Sequence, residues 1–493
     1  MGCVIARLMG QKESARADVG WPFRPDSTLR LTMQKKMLPW TLLFLLAYVH
    51  APQTATAAEN QAITPFKKML EQTLDNNPRI LTAREKLKAA QALLPQAQSQ
   101  LLPSVALQWD NTYSSSQWQD GDSHADPTAA ALSLSQALFN LEALRDYRRL
   151  APTVKAAQKD LETIRQQVFL DFVELTTNLR QEQDVFLLSE NNYNLTKSHL
   201  NATQARFEAG ELTKTDVSQS LARVYAAKAG WIAARANSQS SEARFVELTG
   251  QEAPPNLEIP VVKHELLSKP LAELVALVAE RPDIEAEQWR MQVAEGNVEA
   301  RKAGYMPKAN LSSSTSRTWD PASSAVAGPQ DTVTMTLGLS WPLYSGGLTG
   351  GRIDQAISER ESQLLQLDQA RLAAIRELKV ALLEFEKNAA IDQANVARVT
   401  AAQDAMDGVS QEYQVGTRTS LDTLDAQNEL FSAQTEKVKS SYGLNLSRFR
   451  VLKTLGMLAL DKLESSFQPA SKHDALRATN KALEVSPPPP IRQ

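Results

Sequence analysis

The chain carries the same pattern of residues twice. Asn77-Pro78 recurs as Arg281-Pro282, which lies 204 residues further on. Phe207-Glu208-Ala209-Gly210 recurs as Tyr413-Gln414-Val415-Gly416, which lies 206 residues further on. An offset that changes so little over such a distance indicates a tandem duplication, and a period of about 200 residues is far longer than a solenoid repeat. We therefore expect two related modules that together build one architecture.

The overall charge excludes one broad class of function. The 493 residues include 53 basic and 56 acidic side chains, for a net charge of −3. A chain so close to neutrality has no general attraction for polyanions, so nucleic-acid binding is not expected. The length alone would allow several domains. The duplication instead favours repeat 1 at 58–255, repeat 2 at 256–457 and a C-terminal tail at 458–493.

The N-terminal region has the pattern of a secretory signal peptide. Lys35-Lys36 follow Met33, an apolar run spans 37–49, and Ala55-Thr56-Ala57 offers a cleavage site. This run is shorter than the roughly 20 residues that a membrane-spanning helix needs, whereas its order of charge, apolar core and small residues fits export. Residues 1–57 are thus predicted to be an N-terminal extension and signal peptide, with translation starting at Met33. The alternative is a buried helix that follows two lysines.

Two long stretches without glycine or proline predict unusually long helices. Fifty-seven residues separate Pro152 from Gly210, and 56 separate Gly351 from Gly408. Apolar residues recur every seven positions in both stretches, which predicts coiled-coil packing. In the first stretch this row is Phe172, Leu179, Phe186, Tyr193, Leu200 and Phe207. Each repeat should begin with a helix, and the longer predicted helices span 141–209, 211–249, 352–407 and 417–455.

Each repeat also has two segments that alternate with a period of two. The clearest runs from Val333 to Leu343, with apolar residues on one face and Thr, Gly or Ser on the other as far as Ser340. Such segments predict strands. The predicted β-hairpins span 104–139 and 308–344, and polar turns at 114–127 and 320–330 would close them.

Aromatic residues cluster around these predicted strands. Four of the eight tryptophans lie in or beside them, namely Trp109, Trp118, Trp319 and Trp341. Membrane barrels place aromatic girdles at both bilayer interfaces, which favours a membrane sheet. The alternative is a soluble sandwich with tryptophans in its core.

Four strands are too few to close a membrane barrel. Bilayer-spanning barrels made of one chain begin at about eight strands, and an open sheet would leave unpaired backbone groups in hydrocarbon. The chain is therefore expected to oligomerise, with roughly eight strands from two copies or twelve from three.

No residue pattern points to catalysis. The five histidines are scattered, and the sequence contains no zinc-protease, nucleophile-elbow or phosphate-loop motif. The single cysteine, Cys3, precedes Met33, so an exported chain would have neither thiol chemistry nor a disulfide. An enzyme is therefore not expected, and neither is a cofactor or a metal site.

The turn between the last two predicted helices carries a pair of acids. Asp422 and Asp425 follow Gly416 and stand three residues apart, so they project from one helical face. An ordinary helix start also favours acids, which accounts for Asp422 better than for Asp425. Repeat 1 has Asp216 at the first of these positions and Gln219 at the second.

Three segments and the long helices resemble the TolC family of outer-membrane exit ducts. These segments are Glu412–Ala426, Leu134–Asn140 and Gly338–Gly347, and the resemblance covers roughly residues 62–457. It implies an α+β membrane protein in which three chains share a 12-stranded outer-membrane β-barrel, with four strands from each chain. A long periplasmic α-helical coiled-coil tunnel would continue the barrel.

The same resemblance implies a function and partners. The homotrimer would sit in outer-membrane lipid and reach into the periplasm. It would export secreted proteins or small toxic compounds together with a periplasmic adaptor and an inner-membrane ABC or proton-driven transporter. The alternative is a periplasmic coiled-coil scaffold or adaptor without a pore. Adaptors usually carry a lipoyl-like domain between two helices, and no such β-rich insert separates the long helices here.

The resemblance also assigns a gate to residues near the two helix turns. Thr215 and Asp216 in repeat 1 would link to Tyr413 and Arg418 in repeat 2 and so hold the far end of the tunnel shut. Hydrogen bonds and ion pairs of this kind contribute about 0.5–3 kcal/mol each. Links of this strength can keep most tunnels closed and can still be broken when a partner protein docks.

Two further functions are implied at the same turns. Asp422 and Asp425 would line a cation-selective constriction, because three chains would gather their carboxylates at the tunnel mouth. Gly210 and Gly416 would mark the tips where the adaptor docks.

Overall fold

The computed structural model describes residues 54–118, 121–125, 128–255, 257–319, 328–463 and 466–468. Most of the predicted signal peptide, residues 320–327 of the predicted turn at 320–330 and the proline-rich end of the chain therefore lie outside the described residues. The helices are α1 Thr54–Asn76, α2 Pro78–Ser99, α3 Leu141–Arg148, α4 Leu150–Glu208, α5 Lys214–Thr249, α6 Leu271–Leu277, α7 Pro282–Lys302, α8 Leu348–Gln414, α9 Ser420–Thr454 and α10 Leu460–Leu463. The strands are β1 Ser104–Asn111, β2 Ser114–Trp118, β3 Gly121–Ala125, β4 Thr128–Asn140, β5 Val261–Val262, β6 Lys308–Trp319, β7 Gln330–Ser340 and β8 Phe467–Gln468.

Two very long helices dominate the chain. Helix α4 has 59 residues and helix α8 has 67, which corresponds to about 90 Å and 100 Å at 1.5 Å per residue. Helix α4 packs along α5, α8 packs along α9, and α4 also contacts α9. The heptad rows explain this packing, because they keep one apolar seam facing the partner helix. In the described residues, no helix combines the length and apolar character needed to cross a membrane.

The first long helix differs from its predicted extent at one end. A single helix was expected over 141–209, but α3 ends at Arg148 and α4 begins at Leu150. Asn140 caps α3, because its side-chain oxygen accepts a hydrogen bond of 3.1 Å from the Ala143 amide. Pro152 then lies in the first turn of α4, where its missing N–H leaves no intrahelical partner unpaired.

A four-stranded antiparallel sheet joins the two repeats. Its strand order is β1–β4–β6–β7, so the central pair β4–β6 connects repeat 1 to repeat 2. The register sets Leu107 opposite Leu132 and Leu311 opposite Leu337. Every residue of β7 is exposed, including its apolar row. The sheet thus presents apolar side chains that the single chain does not cover.

The predicted polar turn at 114–127 contains a second, smaller sheet. Strands β2 and β3 pair antiparallel, with Ser115 opposite His124 and Ser116 opposite Ser123. A strand ladder is held by backbone hydrogen bonds, and alternation of apolar residues marks only strands with one buried face. A pair of polar strands therefore gave no signal in the sequence pattern.

The main apolar core lies where α1, α4, α5 and α9 meet. Phe66 and Phe172 are fully buried, with ring centroids 5.3 Å apart, and the Phe245 ring lies 6.0 Å from that of Phe172. Burying one such side chain stabilises the fold by about 1.5–3 kcal/mol. This cluster fixes the bases of the long helix pairs.

The segment after residue 457 does not match its predicted role as part of an extended tail. Leu458 and Leu463 are buried in the main core, and β8 pairs with β5. The Phe467 ring lies 6.2 Å from the Phe66 ring. The prediction was wrong for 458–463 and 466–468, because isolated apolar anchors without a helical or strand period hold these residues against the core.

Candidate gate at two helix tips

The two long helix pairs end in the same backbone turn. Gly210 follows α4 with φ +80°, and Gly416 follows α8 with φ +82°. The Glu211 amide donates to the Arg206 carbonyl at 2.9 Å, and the Thr417 amide donates to the Glu412 carbonyl at 3.0 Å. Such bonds close a helix whose last turn ends in a left-handed residue, a conformation that glycine adopts without strain.

The helix that follows each tip begins with a reciprocal cap. Asp216 Oδ2 accepts from the Thr213 amide at 2.9 Å, and the Asp216 amide donates to Thr213 Oγ1 at 3.3 Å. Thr419 and Asp422 form the same pair of bonds at 2.9 and 3.2 Å. Each capping box satisfies backbone donors that the helix start leaves free. The sequence accounted for Asp422 as an acid at an ordinary helix start but did not identify the reciprocal capping box at either tip.

The caps hold both carboxylates in their charged form. The side-chain hydrogen bond from Thr213 lowers the pKa of Asp216, and the backbone amide of Thr419 lowers the pKa of Asp422. Hydrogen bonds that favour a carboxylate lower its pKa. Asp422 is therefore a helix-start acid as well as a candidate pore acid.

Asp425 has a different partner from Asp422. Its Oδ1 lies 2.7 Å from Nη2 of Arg223, which belongs to α5 in the other repeat. The two acids that stand three residues apart are thus held separately, one by its own helix start and one by an arginine across the helix pair. The sequence analysis did not identify Arg223.

Arg418 forms an ion pair close to its own helix turn. Its Nε lies 2.7 Å from Glu412 Oε2, and both side chains are half exposed. The hydrogen bond to Glu412 raises the pKa of Arg418. Glu412 precedes the turn and Arg418 follows it, so the turn at Gly416 brings the two side chains together.

Tyr413 packs against α4. Its ring centroid lies 5.9 Å from the ring of His199, and the Arg206 guanidinium lies 4.7 Å from the same ring. Among the described residues of this one chain, no hydrogen bond or ion pair joins Thr215 or Asp216 to Tyr413 or Arg418. The structure therefore places the four predicted gate residues at neighbouring tips without linking them within the chain.

The tips are also tied to each other by polar side chains. Gln427 on α9 donates to Asn192 Oδ1 at 3.1 Å and to Thr196 Oγ1 at 3.2 Å, and both acceptors lie on α4. Beside these bonds, α4, α8 and α9 enclose a cavity of about 500 Å³ lined in part by His199 and Phe431. The interface near the tips is therefore polar and loosely filled.

Comparison with known proteins places this geometry in a family. The profile of the outer membrane efflux protein family matches residues 69–251 and 274–457, one match in each repeat. The outer membrane protein TolC of Salmonella enteritidis is 26% identical over 436 residues, which cover 86% of this chain and 87% of that protein. The alkaline protease secretion protein AprF of Pseudomonas aeruginosa is 24% identical over 387 residues, which cover 75% of this chain and 79% of AprF.

A solved structure gives the same fold. The outer membrane protein VceC of Vibrio cholerae superposes with a TM-score of 0.68 at 19% identity, over 81% of this chain and 97% of VceC. The two profile matches together span most of the chain. The chain therefore belongs to the outer membrane efflux protein family, as an outer-membrane exit duct that extends into the periplasm.

Proposed function

We propose that three copies of the chain form the duct, with four strands from each copy in one closed barrel of twelve. The observation that carries this proposal is the exposed sheet with two open edges. Val333 is 77% exposed and Leu337 is 71% exposed, and among the described residues β1 and β7 each pair on one side only. Hydrocarbon can cover the apolar row but cannot satisfy unpaired edge groups.

Strand direction supports closure through copies of the same chain. All pairs in the order β1–β4–β6–β7 are antiparallel, so β1 and β7 run in opposite directions. Strand β7 of one copy can thus pair with β1 of the next and continue the alternation. Closed antiparallel barrels of single-chain outer-membrane proteins likewise have even strand numbers.

Aromatic side chains sit where the sheet would meet the membrane surfaces. The Trp109 and Trp319 rings lie 5.5 Å apart at one end of the sheet. At the other end, Trp341 Nε1 donates to the Tyr305 carbonyl at 3.1 Å, and Tyr344 is 89% exposed. Rings with an apolar body and a polar tip favour that boundary.

The long helix pairs would form the periplasmic tunnel and its gate. In the trimer, we place Thr215 and Asp216 of one copy against Tyr413 and Arg418 of a neighbour, which would close the mouth. Arg418 would then exchange between Glu412 of its own chain and the neighbour's acid. Such an exchange needs little energy, because the Arg418–Glu412 pair is exposed and screened.

The partners would be a periplasmic adaptor at the tips around Gly210 and Gly416, and an inner-membrane ABC or proton-driven transporter. The family is named for efflux and AprF for protease secretion. We therefore propose both small toxic compounds and secreted proteins as classes of cargo.

Single-channel recording in planar bilayers tests the gate. Arg418→Ser and Tyr413→Phe should each raise the conductance of the purified trimer, since each removes a link that holds the mouth closed. Arg371→Ser is a matched control, because Arg371 pairs with Asp368 within α8 at 3.5 Å, away from the tip. Unchanged conductance in both gate variants would remove these residues from the gate.

The constriction has its own test. Asp422→Ala combined with Asp425→Ala should abolish block of the channel by a trivalent cation such as La³⁺, because the carboxylates that would bind it are gone. Block that persists would place the cation site elsewhere. A purified protein that forms no channel and no heat-modifiable trimer would favour the scaffold alternative.

A further inference from the structure

We propose that Arg223 is a gate residue of the duct: it ties α5 to α9 and neutralises the Asp425 carboxylate while the mouth is closed. The inference deepens the proposed function and rests on it, because it presumes that the tips line the mouth of a trimeric tunnel. No role for Arg223 follows from the family resemblance or from the repeat pattern.

The Arg223–Asp425 ion pair is the polar contact between the two helices. Its atoms Nη2 and Oδ1 are 2.7 Å apart. In the part of the chain that the structure describes, it is the only hydrogen bond or ion pair between α5 and α9. Helix α5 follows the tip of repeat 1 and α9 follows the tip of repeat 2. The pair therefore fastens one tip to the other.

The helices pack loosely beside this pair. A cavity of about 150 Å³ lies there among α4, α5 and α9, and it is lined on the α5 side by Ala226, Ala227 and Gly230. The indole Nε1 of Trp231 is buried at the same interface and has no hydrogen-bond partner among the described residues. Few van der Waals contacts are lost when two surfaces with a gap between them separate. The Arg223–Asp425 pair is thus the direct polar link that would resist separation of α5 from α9 near the tips, in addition to the bonds from Gln427 to α4.

The pair also changes the charge that the mouth presents. Asp422 keeps its charge within its own capping box, whereas the charge of Asp425 is offset by Arg223. With two acids in each of three chains, half of the carboxylates would be neutralised while the mouth is closed. Separation of α5 from α9 would break these pairs and free the Asp425 carboxylates. The channel mouth should therefore bind cations weakly in the closed state and more strongly in the open state.

The chain offers a matched control for this proposal. Arg398 Nη2 lies 2.7 Å from Glu429 Oε1, the same distance as in the proposed pair. The side chains are 40% and 58% exposed, against 44% and 56% for Arg223 and Asp425. Arg398 joins α8 to α9 within one helix pair, so its loss removes the same charge without freeing α5.

The test compares Arg223→Gln with Arg398→Gln in trimers reconstituted in planar bilayers, with La³⁺ as the blocking ion. Arg223→Gln should raise the conductance of the resting channel and tighten La³⁺ block by about tenfold, because the paired carboxylate becomes free. Arg398→Gln should change each quantity by less than about twofold, as expected for an exposed pair outside the gate. Equal effects of the two variants would overturn the proposal.

A charge swap separates the link from the charge. Arg223→Asp combined with Asp425→Arg restores the ion pair in reverse, so conductance should return to the wild-type value. Arg223→Lys should keep both conductance and block close to wild type. A conductance above the wild-type value in the charge-swapped channel would show that the ion pair does not hold the mouth closed.

The failure of this inference is distinguishable from failure of the proposed function. If Asp425→Asn removes block while Arg223→Gln leaves block and conductance unchanged, Arg223 has no part in the gate and the acidic constriction stands. If the chain forms no channel at all, the proposed function fails and takes this inference with it.

Discussion

The tip of repeat 1 and the tip of repeat 2 share a backbone and differ in nearly every charged side chain. Both have a left-handed glycine and a Thr–Asp capping box. Around that backbone, however, Arg206 occupies the position that Glu412 has in repeat 2, and Leu212 occupies that of Arg418. The shared features are those that end one helix and begin the next.

The difference shows which residues the turn itself does not require. A helix turn needs glycine for its positive φ and an oxygen to cap the free amides, and both repeats retain these. It does not need Glu412, Arg418 or Asp425, which only repeat 2 has. These charged residues therefore became available for contacts between helix pairs, as the Arg223–Asp425 bridge illustrates.

The largest effect should come from the two glycines. Gly210→Ala and Gly416→Ala should each destabilise their own tip by roughly 1–2 kcal/mol, the cost of a side chain in the left-handed region. An added Cβ would meet nothing within 4 Å at either position, so the cost is conformational and should be equal at the two tips. The rate of hydrogen exchange of the backbone amides at each tip measures this loss of local stability.

Gly408→Ala is the control for this comparison. Gly408 lies inside α8, has no positive φ and also has open space for a Cβ. Alanine should therefore stabilise α8 there by about 0.5–1 kcal/mol. A strong effect at one tip and none at the other would show that the two turns are not equivalent.

The next effect should come from the caps. Thr213→Ala and Thr419→Ala each remove a side chain that accepts from the third residue of its helix and contacts the capping aspartate. We expect a loss of about 1 kcal/mol at each helix start, visible as faster exchange in the first turn of α5 and α9. Serine at the same positions retains the hydroxyl and should restore protection.

Local features of the fold could be predicted from the sequence, because their causes lie within a few residues. The stretches without glycine or proline predicted the long helices, the heptad rows predicted their packing, and the glycine positions predicted the two tips. The Glu412–Arg418 pair was missed although its signal was local: the two residues flank a turn that folds them together. Opposite charges that flank a glycine at a helix end are therefore candidates for an ion pair across the turn.

Contacts between distant segments could not be predicted in this way. Arg223 and Asp425 are 202 residues apart, and nothing in either helix indicates which face meets the other. The anchors Leu458, Leu463 and Phe467 likewise lie in a segment without periodicity. In the proposed trimer, the gate partners of Thr215 and Asp216 would come from neighbouring copies, and only the family resemblance suggests them.

One partly buried histidine distinguishes the repeats further. His199 in α4 corresponds to Ala405 in α8. Thr203 Oγ1 donates to the His199 carbonyl at 2.9 Å, so at 3.2 Å it must accept from the ring Nδ1–H. This arrangement assigns the proton to Nδ1, and the buried Nε2 has no hydrogen-bond partner in the part of the chain that the structure describes. Burial lowers the pKa of His199, and the nearby Arg206 lowers it further.

The smallest effect should be a dependence of the tip on pH. Because the pKa of His199 is lowered on folding from its ordinary 6.5, the unfolded tip binds more protons below that pH, and its stability falls as pH drops from 6.5 towards the folded pKa. Arg206 and the Tyr413 ring face His199, and Asp407 lines the same cavity. The protection of backbone amides around Tyr413 from hydrogen exchange, corrected for intrinsic rates, should therefore decline as the pH falls from about 7 to 5.5 in the wild type.

His199→Gln should flatten this decline in protection. His264→Gln, at a distant 3₁₀ turn, is the control and should leave the decline unchanged. A decline that survives in His199→Gln would assign the dependence to other groups at the tip.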